Sequence, residues 1–398
     1  MKILITSDWY IPAVNGVVTS VRNLKRGLEA RGHEVRILTL SDTWRSFEKD
    51  GVMYVGSLSA DALYPGARLR VASGKNWLAR IMEWQPDIVH SNCEFSTFPL
   101  AQKISLELQI PLIHTYHTVY ENYTHYFSPS KAWGQKLVTV FSRKVAAKTD
   151  ALIAPTEKIK TLLHRYGIST PVYVLPTGID QEKFISAEKS FDRLRVRKQL
   201  GISPEQVVLI SVGRMAKEKN GGELIRVMTH FREENIQLLL VGDGPYRQEL
   251  QKQAEELGVE QQVIFTGMIS PETVSHYYQA GDLFVSASTS ESQGLTYIEA
   301  LSSGLPMLCR RDDSLQDVIL ENFNGWQYDS ETAFVQKVRY FLEHTEQHGL
   351  LSQNAMRIAE RFSISTFACH AEQIYQELIV SRKRIPQEKT NVQADDDN

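Results

Sequence analysis

Two glutamates at a spacing suited to ligand binding are the clearest candidates for chemistry in this chain. Glu291 and Glu299 lie in the segment SESQGLTYIEA of residues 290–300, with Gly294 between them. We expect Glu291 in the loop after a strand over 283–286 and Glu299 on the helix that follows. The start of such a helix has free N–H groups and a positive dipole end, which favour an anion. The carboxylates could then hold sugar hydroxyls and ribose hydroxyls, although an acidic first turn and an exposed helical glutamate explain them equally well.

A basic pair, Arg214 and Lys219, follows a predicted strand over 207–212 and precedes a predicted helix. In open α/β folds, ligands bind at the carboxyl ends of the strands, so both cations can reach the cleft that contains the glutamates. Fixed cations there would offset the charge of a diphosphate and stabilise it as a leaving group. A solvated loop is the alternative interpretation, and it is the commoner one for a basic cluster by itself.

Two glycine turns follow predicted strands in different halves of the chain. Gly16, in the segment NGVV of residues 15–18, allows the backbone to approach a phosphate at the start of the next helix. This turn lacks the G-x-G-x-x-G dinucleotide fingerprint, so a nicotinamide cofactor fits poorly. We interpret the other turn, VGDGP of residues 241–245, as mostly structural.

Short β-branched runs alternate with amphipathic segments, which predicts βα units and parallel sheets. We therefore predict an α/β fold of two Rossmann-like, doubly wound domains, residues 1–178 and 179–361, that face an interdomain cleft. The domain junction is placed in a charged segment with little periodicity that ends at residue 198. A helix around 362–380 is expected to rejoin the first domain, and the polar residues 381–398 to form a disordered tail. The predicted strands cover residues 2–7, 34–40, 87–90, 111–115, 151–155 and 172–175, then 207–212, 237–241, 263–266, 283–286 and 306–309.

Composition and charge exclude several classes of protein. Hydrophobic residues make up 42% and charged residues 23% of the 398 residues, a globular balance, and the net charge of −3 gives no overall attraction to nucleic acid. Cys93, Cys309 and Cys369 are too scattered for a disulfide framework or a Cys-x-x-Cys metal site. Because the chain shows neither a signal-peptide pattern nor a run of about 20 apolar residues, we expect a cytoplasmic enzyme.

Four features of this chain occur in the order and spacing of the retaining family 4 glycosyltransferases, which have the GT-B fold. They are the glycine turn at Gly16, the basic pair, the 241–245 turn and the spaced glutamates. The resemblance extends to about residue 378. It implies a retaining hexosyltransferase that uses a nucleotide-sugar donor. The implied mechanism is front-face displacement, in which the acceptor hydroxyl attacks from the side that the nucleotide leaves and the departing phosphate takes its proton.

The resemblance assigns four residues to catalysis. Arg214 and Lys219 would bind the donor diphosphate, and Glu291 would hold sugar hydroxyls rather than attack as a covalent nucleophile. His117, in the segment HTYHT of residues 114–118, would contact the 6-hydroxyl of the sugar near the reacting carbon. Without the family pattern, a single histidine near a strand end is more often structural.

The rest of the donor site is assigned in the same way. Glu299 would bind the ribose, Met268 would lie beside the nucleobase, and Gly16 would approach the phosphate or the sugar. The phosphate site would be completed by backbone groups of Gly294, Leu295 and Thr296. Because the basic pair can take the role of a divalent ion, we expect no tightly bound cofactor and no metal site, although a divalent metal could stimulate the reaction.

Two stretches of the first half, between residues 61 and 83 and between 121 and 150, contain several bases and no acid. In the second stretch, five apolar residues recur at helical spacing: Trp133, Leu137, Val140, Phe141 and Val145. A basic amphipathic helix can bind an anionic bilayer, with roughly 1 kcal/mol contributed by each nearby base. The alternative is that this apolar face is simply core. The predicted membrane-binding residues are Arg68, Arg70, Lys131, Trp133, Lys136, Arg143, Lys144 and Lys148.

The segment HTYHTVYENY of residues 114–123 resembles the corresponding segment of bacterial diacylglycerol α-glucosyltransferases. Those enzymes make monoglucosyldiacylglycerol, a membrane glycolipid and lipoteichoic acid anchor precursor, usually from UDP-glucose. The resemblance implies diacylglycerol and an anionic membrane surface as partners, no nucleic acid, and a peripheral location on the inner face of the cell membrane. Three alternatives stay open: a family 4 transferase with a soluble or polysaccharide acceptor, a phosphorylase or epimerase of the same fold, and a non-catalytic membrane-bound module.

Overall fold

The first domain is built on a mostly parallel sheet. The computed structural model describes residues 1–60, 67–71, 75–121, 130–185 and 189–384. The strands of this domain are β1 (Lys2–Ser7), β2 (Glu34–Leu40), β3 (Phe47–Lys49), β4 (Val52–Val55), β5 (Ser57–Ser59), β6 (Arg68–Arg70), β7 (Ile88–Ser91), β8 (Leu112–Thr115), β9 (Ala151–Ala154) and β10 (Val172–Val174). The sheet order is β10-β9-β8-β7-β1-β2-β4-β3, in which only β3 is antiparallel to its neighbour, and β5 and β6 form a separate antiparallel pair.

The second domain is built on a sheet whose described strands are all parallel. They are β11 (Val207–Val212), β12 (Ile236–Val241), β13 (Val263–Phe265), β14 (Leu283–Ser286), β15 (Met307–Arg310) and β16 (Gly325–Tyr328). Their order is β13-β12-β11-β14-β15-β16. β12 is buried along its whole length, as expected for a parallel strand covered on both faces.

Helices connect the strands and cover the sheets. They are α1 (Gly16–Ala30), α2 (Lys75–Trp84), α3 (Phe98–Leu108), α4 (Lys131–Ala146), α5 (Glu157–Arg165), α6 (Lys189–Gln199), α7 (Gly221–Met228), α8 (Arg247–Glu256), α9 (Val274–Ala280), α10 (Leu295–Ser302), α11 (Glu331–Glu343), α12 (His348–Ala359) and α13 (Ile364–Arg384). This arrangement confirms the predicted α/β fold with Rossmann-like parts.

The candidate site residues follow the carboxyl ends of four strands. Gly16 comes after β1, His117 after β8, the loop with Arg214 and Lys219 after β11, and Glu291 after β14. Parallel strands bring such loops to one edge of each sheet, where ligands of open α/β folds bind.

The C-terminal helix α13 packs on α1 of the first domain. A Cβ at Gly27 of α1 would lie only 2.7 Å from the Cβ of Ala368, so the two helices approach closely. The helix continues to Arg384, which corrects the predicted start of a disordered tail at residue 381. Arg382 donates to Asp150 at 2.7 Å, and this ion pair connects the end of the helix to the first domain. Residues 385–398 of the predicted tail lie outside the described residues.

The sequence prediction also differs from the structure in several strands and in one helix. It lacks β4 and β16, which have four residues each and are mostly buried, and it lacks β3, β5 and β6. β3, β5 and β6 have three residues each and are largely exposed, so they contain no run of buried residues that a pattern could reveal. The charged segment at the domain junction contains α6. Its Arg197 is buried and pairs with Asp282 at 2.7 Å, so a charged residue occupies a core position and obscures the periodicity of the helix.

Candidate active site

The β14–α10 loop, residues 287–294, ends at a glycine that its geometry requires. Gly294 has a φ of +76°, and a Cβ there would lie 2.4 Å from the ring of Tyr297. Among the described residues, no side chain caps the start of α10. The N–H groups of the predicted phosphate site, those of Gly294, Leu295 and Thr296, therefore lie at a helix start that suits an anion.

Lys219 and Glu291 lie together although 72 positions separate them in the sequence. The Nζ of Lys219 donates to the Oε1 of Glu291 at 2.6 Å, and both side chains are partly buried. The next residue, Asn220, has a φ of +54° and donates through its side chain to Glu223 at 2.7 Å. Glu223 is buried and also accepts from Arg310, so this carboxylate fixes the turn that contains Lys219.

Arg214 is connected to the same pair of loops. Its Nη2 donates to the Oε1 of Glu218 at 2.5 Å, and its side chain is 41% exposed. The main-chain oxygen of Glu218 accepts from Ser290 Oγ at 3.1 Å, which joins the Arg214 loop to the β14–α10 loop. Both predicted cations thus have a carboxylate partner, and a diphosphate would compete with those carboxylates for them.

The glycine turn after β12 holds the Arg214 loop in place. Cβ atoms at Gly242 and Gly244 would lie 2.1 Å and 2.3 Å from the main-chain oxygens of Gly213 and Met215. Since only glycine permits such an approach, the turn has the structural role that we inferred from its sequence.

Glu299 of α10 faces Tyr278 of α9. The hydroxyl of Tyr278 donates to the Oε2 of Glu299 at 2.8 Å and to the main-chain oxygen of Thr296 at 3.3 Å. Burial raises the pKa of Glu299, and the hydrogen bond from Tyr278 opposes this effect. The other carboxylate oxygen, Oε1, receives no hydrogen bond from Tyr278, and hydroxyls of a ribose are suitable donors to it.

Gly16 brings the first domain next to the start of α10. A Cβ at Gly16 would lie 3.7 Å from Cδ1 of Leu295, so the first turn of α1 and the first turn of α10 are neighbours across the domain boundary. Asn15 caps α1 through a hydrogen bond from Val18 N at 2.9 Å. Met268, the residue predicted beside the nucleobase, follows β13 and is 75% exposed.

His117 is held in a defined orientation by the end of β7. Its Nε2 lies 2.9 Å from the Oδ1 of Asn92. Because that oxygen only accepts, Nε2 carries the proton and Nδ1 is an acceptor when the ring is neutral. Burial lowers the pKa of His117 to about 4, so the ring is neutral near pH 7.

A buried polar cluster beside His117 was not predicted from the sequence. Glu94 accepts from His114 Nε2 at 3.2 Å and from the hydroxyl of Tyr120 at 2.6 Å. Burial acts to raise the pKa of Glu94, but these hydrogen bonds outweigh it and lower the pKa. His114 belongs to the HTYHT segment, whereas Glu94 lies in no motif; its position just after β7 is the signal that could have identified it.

The structure separates most of the predicted membrane-binding residues into those engaged internally and those exposed. The guanidinium of Arg68 is engaged internally, since it donates to the main-chain oxygens of Ser41 at 2.9 Å and Asp42 at 2.6 Å. The Nε of Arg143 donates to the main-chain oxygen of Tyr166. Four other predicted residues have exposed side chains: Trp133, Lys136, Lys144 and Lys148. Arg70 is half-buried, and the side chain of Lys131 lies outside the described part of the structure.

The apolar face of α4 is part surface and part core. Trp133 is 68% exposed, and Leu137 and Val140 are about half exposed, whereas Val145 is buried. Phe141 stacks on Phe95 with ring centroids 5.7 Å apart. Val138, between the exposed Leu137 and Val140, is also buried, so the core interpretation holds for one side of α4 and the surface interpretation for another. Within the described residues, no helix is long and apolar enough to cross a membrane.

No group of three or more histidine, cysteine, aspartate or glutamate residues in the described ranges is arranged to hold a metal ion. The described site contains two cations, two carboxylates, a neutral histidine and an uncapped helix start. Such a set suits the binding of a phosphorylated, hydroxyl-rich ligand.

Comparison with known proteins assigns the chain to a family. Residues 14–183 match the family model for Glycosyltransferase Family 4, and residues 192–357 match the one for Glycosyl transferases group 1. The chain is 37% identical to the alpha-monoglucosyldiacylglycerol synthase of Streptococcus pneumoniae over 335 residues, which are 83% of this chain and 76% of that protein. It is 32% identical to the alpha-monoglucosyldiacylglycerol synthase of Acholeplasma laidlawii over 391 residues, which are 95% and 98% of the two chains.

A solved structure shares the fold at low sequence identity. The sucrose-phosphate synthase of Thermosynechococcus elongatus superposes with a TM-score of 0.75 at 19% identity, over 96% of this chain and 99% of that one. Since the family models match both domains and the relatives match across them, the chain belongs to the family 4 glycosyltransferases of the GT-B fold and is a hexosyltransferase.

Proposed function

We propose that the chain transfers glucose from UDP-glucose to diacylglycerol with retention of configuration, forming α-monoglucosyldiacylglycerol. The observation that carries the proposal is the Lys219–Glu291 pair beside the uncapped start of α10, which lies next to Gly16. The two relatives reported above bear the name of this activity and match most of the chain, which favours a lipid acceptor over a soluble one. We propose UDP as the nucleotide because UDP-glucose is the usual donor of the enzymes that the HTYHTVYENY segment resembles. Residues 122 and 123, at the end of that segment, lie outside the described residues.

In this proposal the donor diphosphate binds at the start of α10 and draws Lys219 and Arg214 away from their carboxylate partners. The cations then neutralise the phosphates and stabilise the leaving group. Glu291, released from Lys219, accepts hydrogen bonds from sugar hydroxyls, and Glu299 accepts from the ribose. The acceptor hydroxyl attacks the anomeric carbon from the side that the nucleotide leaves, and the departing phosphate accepts the hydroxyl proton. No tightly bound cofactor takes part in this scheme.

His117 takes part as a neutral hydrogen-bonding group. With Nε2 bound to Asn92, Nδ1 can accept a hydrogen bond from the 6-hydroxyl of the sugar. The lowered pKa keeps the ring uncharged, so it adds no charge close to the reacting carbon. We therefore propose a binding and orienting role for His117 rather than proton transfer.

We propose that α4 brings the enzyme to anionic lipid on the cytoplasmic face of the membrane. The α4 surface consists of exposed residues at positions i, i+3, i+4, i+7 and i+11, which places them on one side of the helix: Trp133, Lys136, Leu137, Val140 and Lys144. An exposed tryptophan with flanking lysines is the composition of interfacial helices. Arg68, which lies in β6, is not proposed as a second membrane contact because its guanidinium is engaged internally.

The test is a transfer assay with UDP-glucose and dioleoylglycerol in vesicles of phosphatidylcholine and phosphatidylglycerol. An α-linked glucosyl-diacylglycerol, identified by mass and by its anomeric proton, would support donor, acceptor and stereochemistry together. Hydrolysis of UDP-glucose without a lipid product would favour a soluble or polysaccharide acceptor. Neither binding nor turnover of UDP-glucose would contradict the proposed donor.

A further inference from the structure

Lys158 of the first domain reaches across the domain boundary into the β14–α10 loop. From the first turn of α5, its Nζ lies 2.7 Å and 2.8 Å from the two carboxylate oxygens of Asp312. The same ammonium group lies 3.1 Å from the main-chain oxygen of Thr289 and 3.2 Å from that of Glu291. Lys158 therefore contacts the backbone of the residue whose side chain pairs with Lys219.

Asp312 provides a fixed anchor for this ammonium group in the second domain. It follows β15 and is almost fully buried, with a side chain 6% exposed. Its Oδ1 accepts from Ser314 N at 2.8 Å, and its own N–H donates to Gln327 of β16 at 3.3 Å. A buried carboxylate held in this way costs free energy if its cation is removed, so Lys158 is expected to stay in place.

Other first-domain groups contact the same loop. Thr156 Oγ1 donates to the main-chain oxygen of Ser292 at 2.9 Å. The side chain of Gln293 accepts from Thr177 N at 2.8 Å and donates to Thr177 O at 3.0 Å. The backbone of the loop is thus held from the first domain, while the side chain of Glu291 pairs within the second.

We propose that Lys158 is a positioning residue for the sugar end of the donor. It holds the main chain at Thr289 and Glu291 so that the Glu291 carboxylate is presented to the sugar, and it can do so only when the two domains are together. Domain closure and completion of the sugar site are thereby coupled through one side chain. This inference rests on the proposed use of a nucleotide-sugar donor.

The test compares Lys158→Met, which keeps the length of the side chain without its charge, with Lys160→Met on the same helix. Among the described contacts, Lys160 makes none to the β14–α10 loop, so it is a matched control. We expect Lys158→Met to raise the KM for UDP-glucose roughly 10-fold, the scale of a lost charge-assisted hydrogen bond. Binding of UDP alone, measured by calorimetry, should stay within about twofold because Glu291 is assigned to the sugar.

Two further variants extend the test. Lys158→Arg should restore most of the UDP-glucose affinity, because a guanidinium can bind both the carboxylate and the backbone oxygens. Asp312→Asn should show the same selective loss, smaller in size, and thermal unfolding checks that each variant is folded. Equal losses of UDP and UDP-glucose binding would overturn the proposal in favour of a structural role, and so would unchanged kinetics in a folded Lys158→Met. A parent protein that fails to bind UDP-glucose would instead contradict the proposed function itself.

Discussion

The two cations of the site are each paired with a carboxylate, and only one of these, Glu291, has a role predicted from the sequence. Lys219 binds Glu291, and Arg214 binds Glu218, at 2.6 Å and 2.5 Å. Donor binding in the proposed mechanism is consequently an exchange of partners, in which phosphate oxygens replace carboxylates around each cation. Removing one partner of a partly buried ion pair destabilises a protein by more than the intact pair stabilises it, because the remaining charge is left without compensation.

Lys219→Ala should reduce kcat by about 100-fold or more, the usual effect of removing a group that stabilises a developing anion. The matched control is Lys217→Ala, since Lys217 lies in the same short helical turn and its side chain is exposed. Steady-state kinetics with UDP-glucose and dioleoylglycerol would measure both. An unchanged kcat in a folded Lys219→Ala variant would exclude the leaving-group role.

His117 should make the stability of the protein sensitive to acid. Burial lowers its pKa from 6.5 to about 4, so between these values the unfolded chain binds a proton that the folded protein does not. The contribution is present above pH 6.5 and is lost as the pH falls toward about 4. His117→Asn should therefore flatten the decline in the free energy of unfolding between pH 7 and pH 5, measured with urea.

The control for this measurement is His164→Asn, which replaces an exposed histidine at the end of α5. It should leave the pH dependence as it is in the parent protein. Parallel pH profiles for the parent and His117→Asn would show that His117 titrates alike in the folded and unfolded chains, and the neutral-ring role would then lose its support.

Helix α4 shows how one element can serve two environments. One side of the helix buries Val138 and Val145 in the core, while another exposes Trp133, Leu137 and Val140. The helical period explains the division. Val138 and Val145 lie two turns apart on one side, and Trp133, Leu137 and Val140, three or four positions apart, lie together on another.

Replacing two bases of the α4 surface, in Lys136→Ser/Lys144→Ser, should weaken binding to phosphatidylglycerol vesicles roughly 10- to 30-fold, at about 1 kcal/mol per base. The control is Lys103→Ser/Lys252→Ser, which removes two exposed lysines from α3 and α8 and so changes the net charge by the same amount. Flotation of the protein with vesicles would measure the difference. If both double variants bind alike, a different surface meets the membrane.

At the scale of the whole molecule, the two domains are held together through α1 and the C-terminal helix. Asn23 of α1 donates to the main-chain oxygen of Gly178 in the interdomain connection at 2.8 Å. Ser20 and Thr177 also share a hydrogen bond at 3.0 Å. The α1–α13 contact at Gly27 therefore lies close to the connection about which the domains would move.

Gly27→Ala should lower the free energy of unfolding by about 1–3 kcal/mol, because the new Cβ overpacks the α1–α13 contact. It would lie 2.7 Å from Ala368 Cβ and 3.0 Å from the main-chain oxygen of Ile364. Gly349→Ala in α12 meets no atom within 4 Å, so helix propensity should make it neutral or stabilising. Equal unfolding midpoints for the two variants would contradict close packing at Gly27.

The sequence by itself determined the α/β class, the family resemblance and the set of candidate residues around the cleft. These depend on local properties: strand periodicity, the residues that follow each strand, and the spacing of Glu291 and Glu299 within one segment. Because the carboxyl ends of parallel strands always meet at one edge, residues far apart in the chain could be placed together without knowing their contacts.

Only the tertiary structure decided which partner each charged group has. Lys219 binds Glu291, Lys158 binds Asp312, and Arg68 turns to backbone oxygens instead of solvent. The reason is physical: a pairing between distant segments depends on the packing of the domains that bring them together, and no periodicity in the chain encodes it. For the same reason the structure, and not the pattern, separated the exposed part of α4 from the part that belongs to the core.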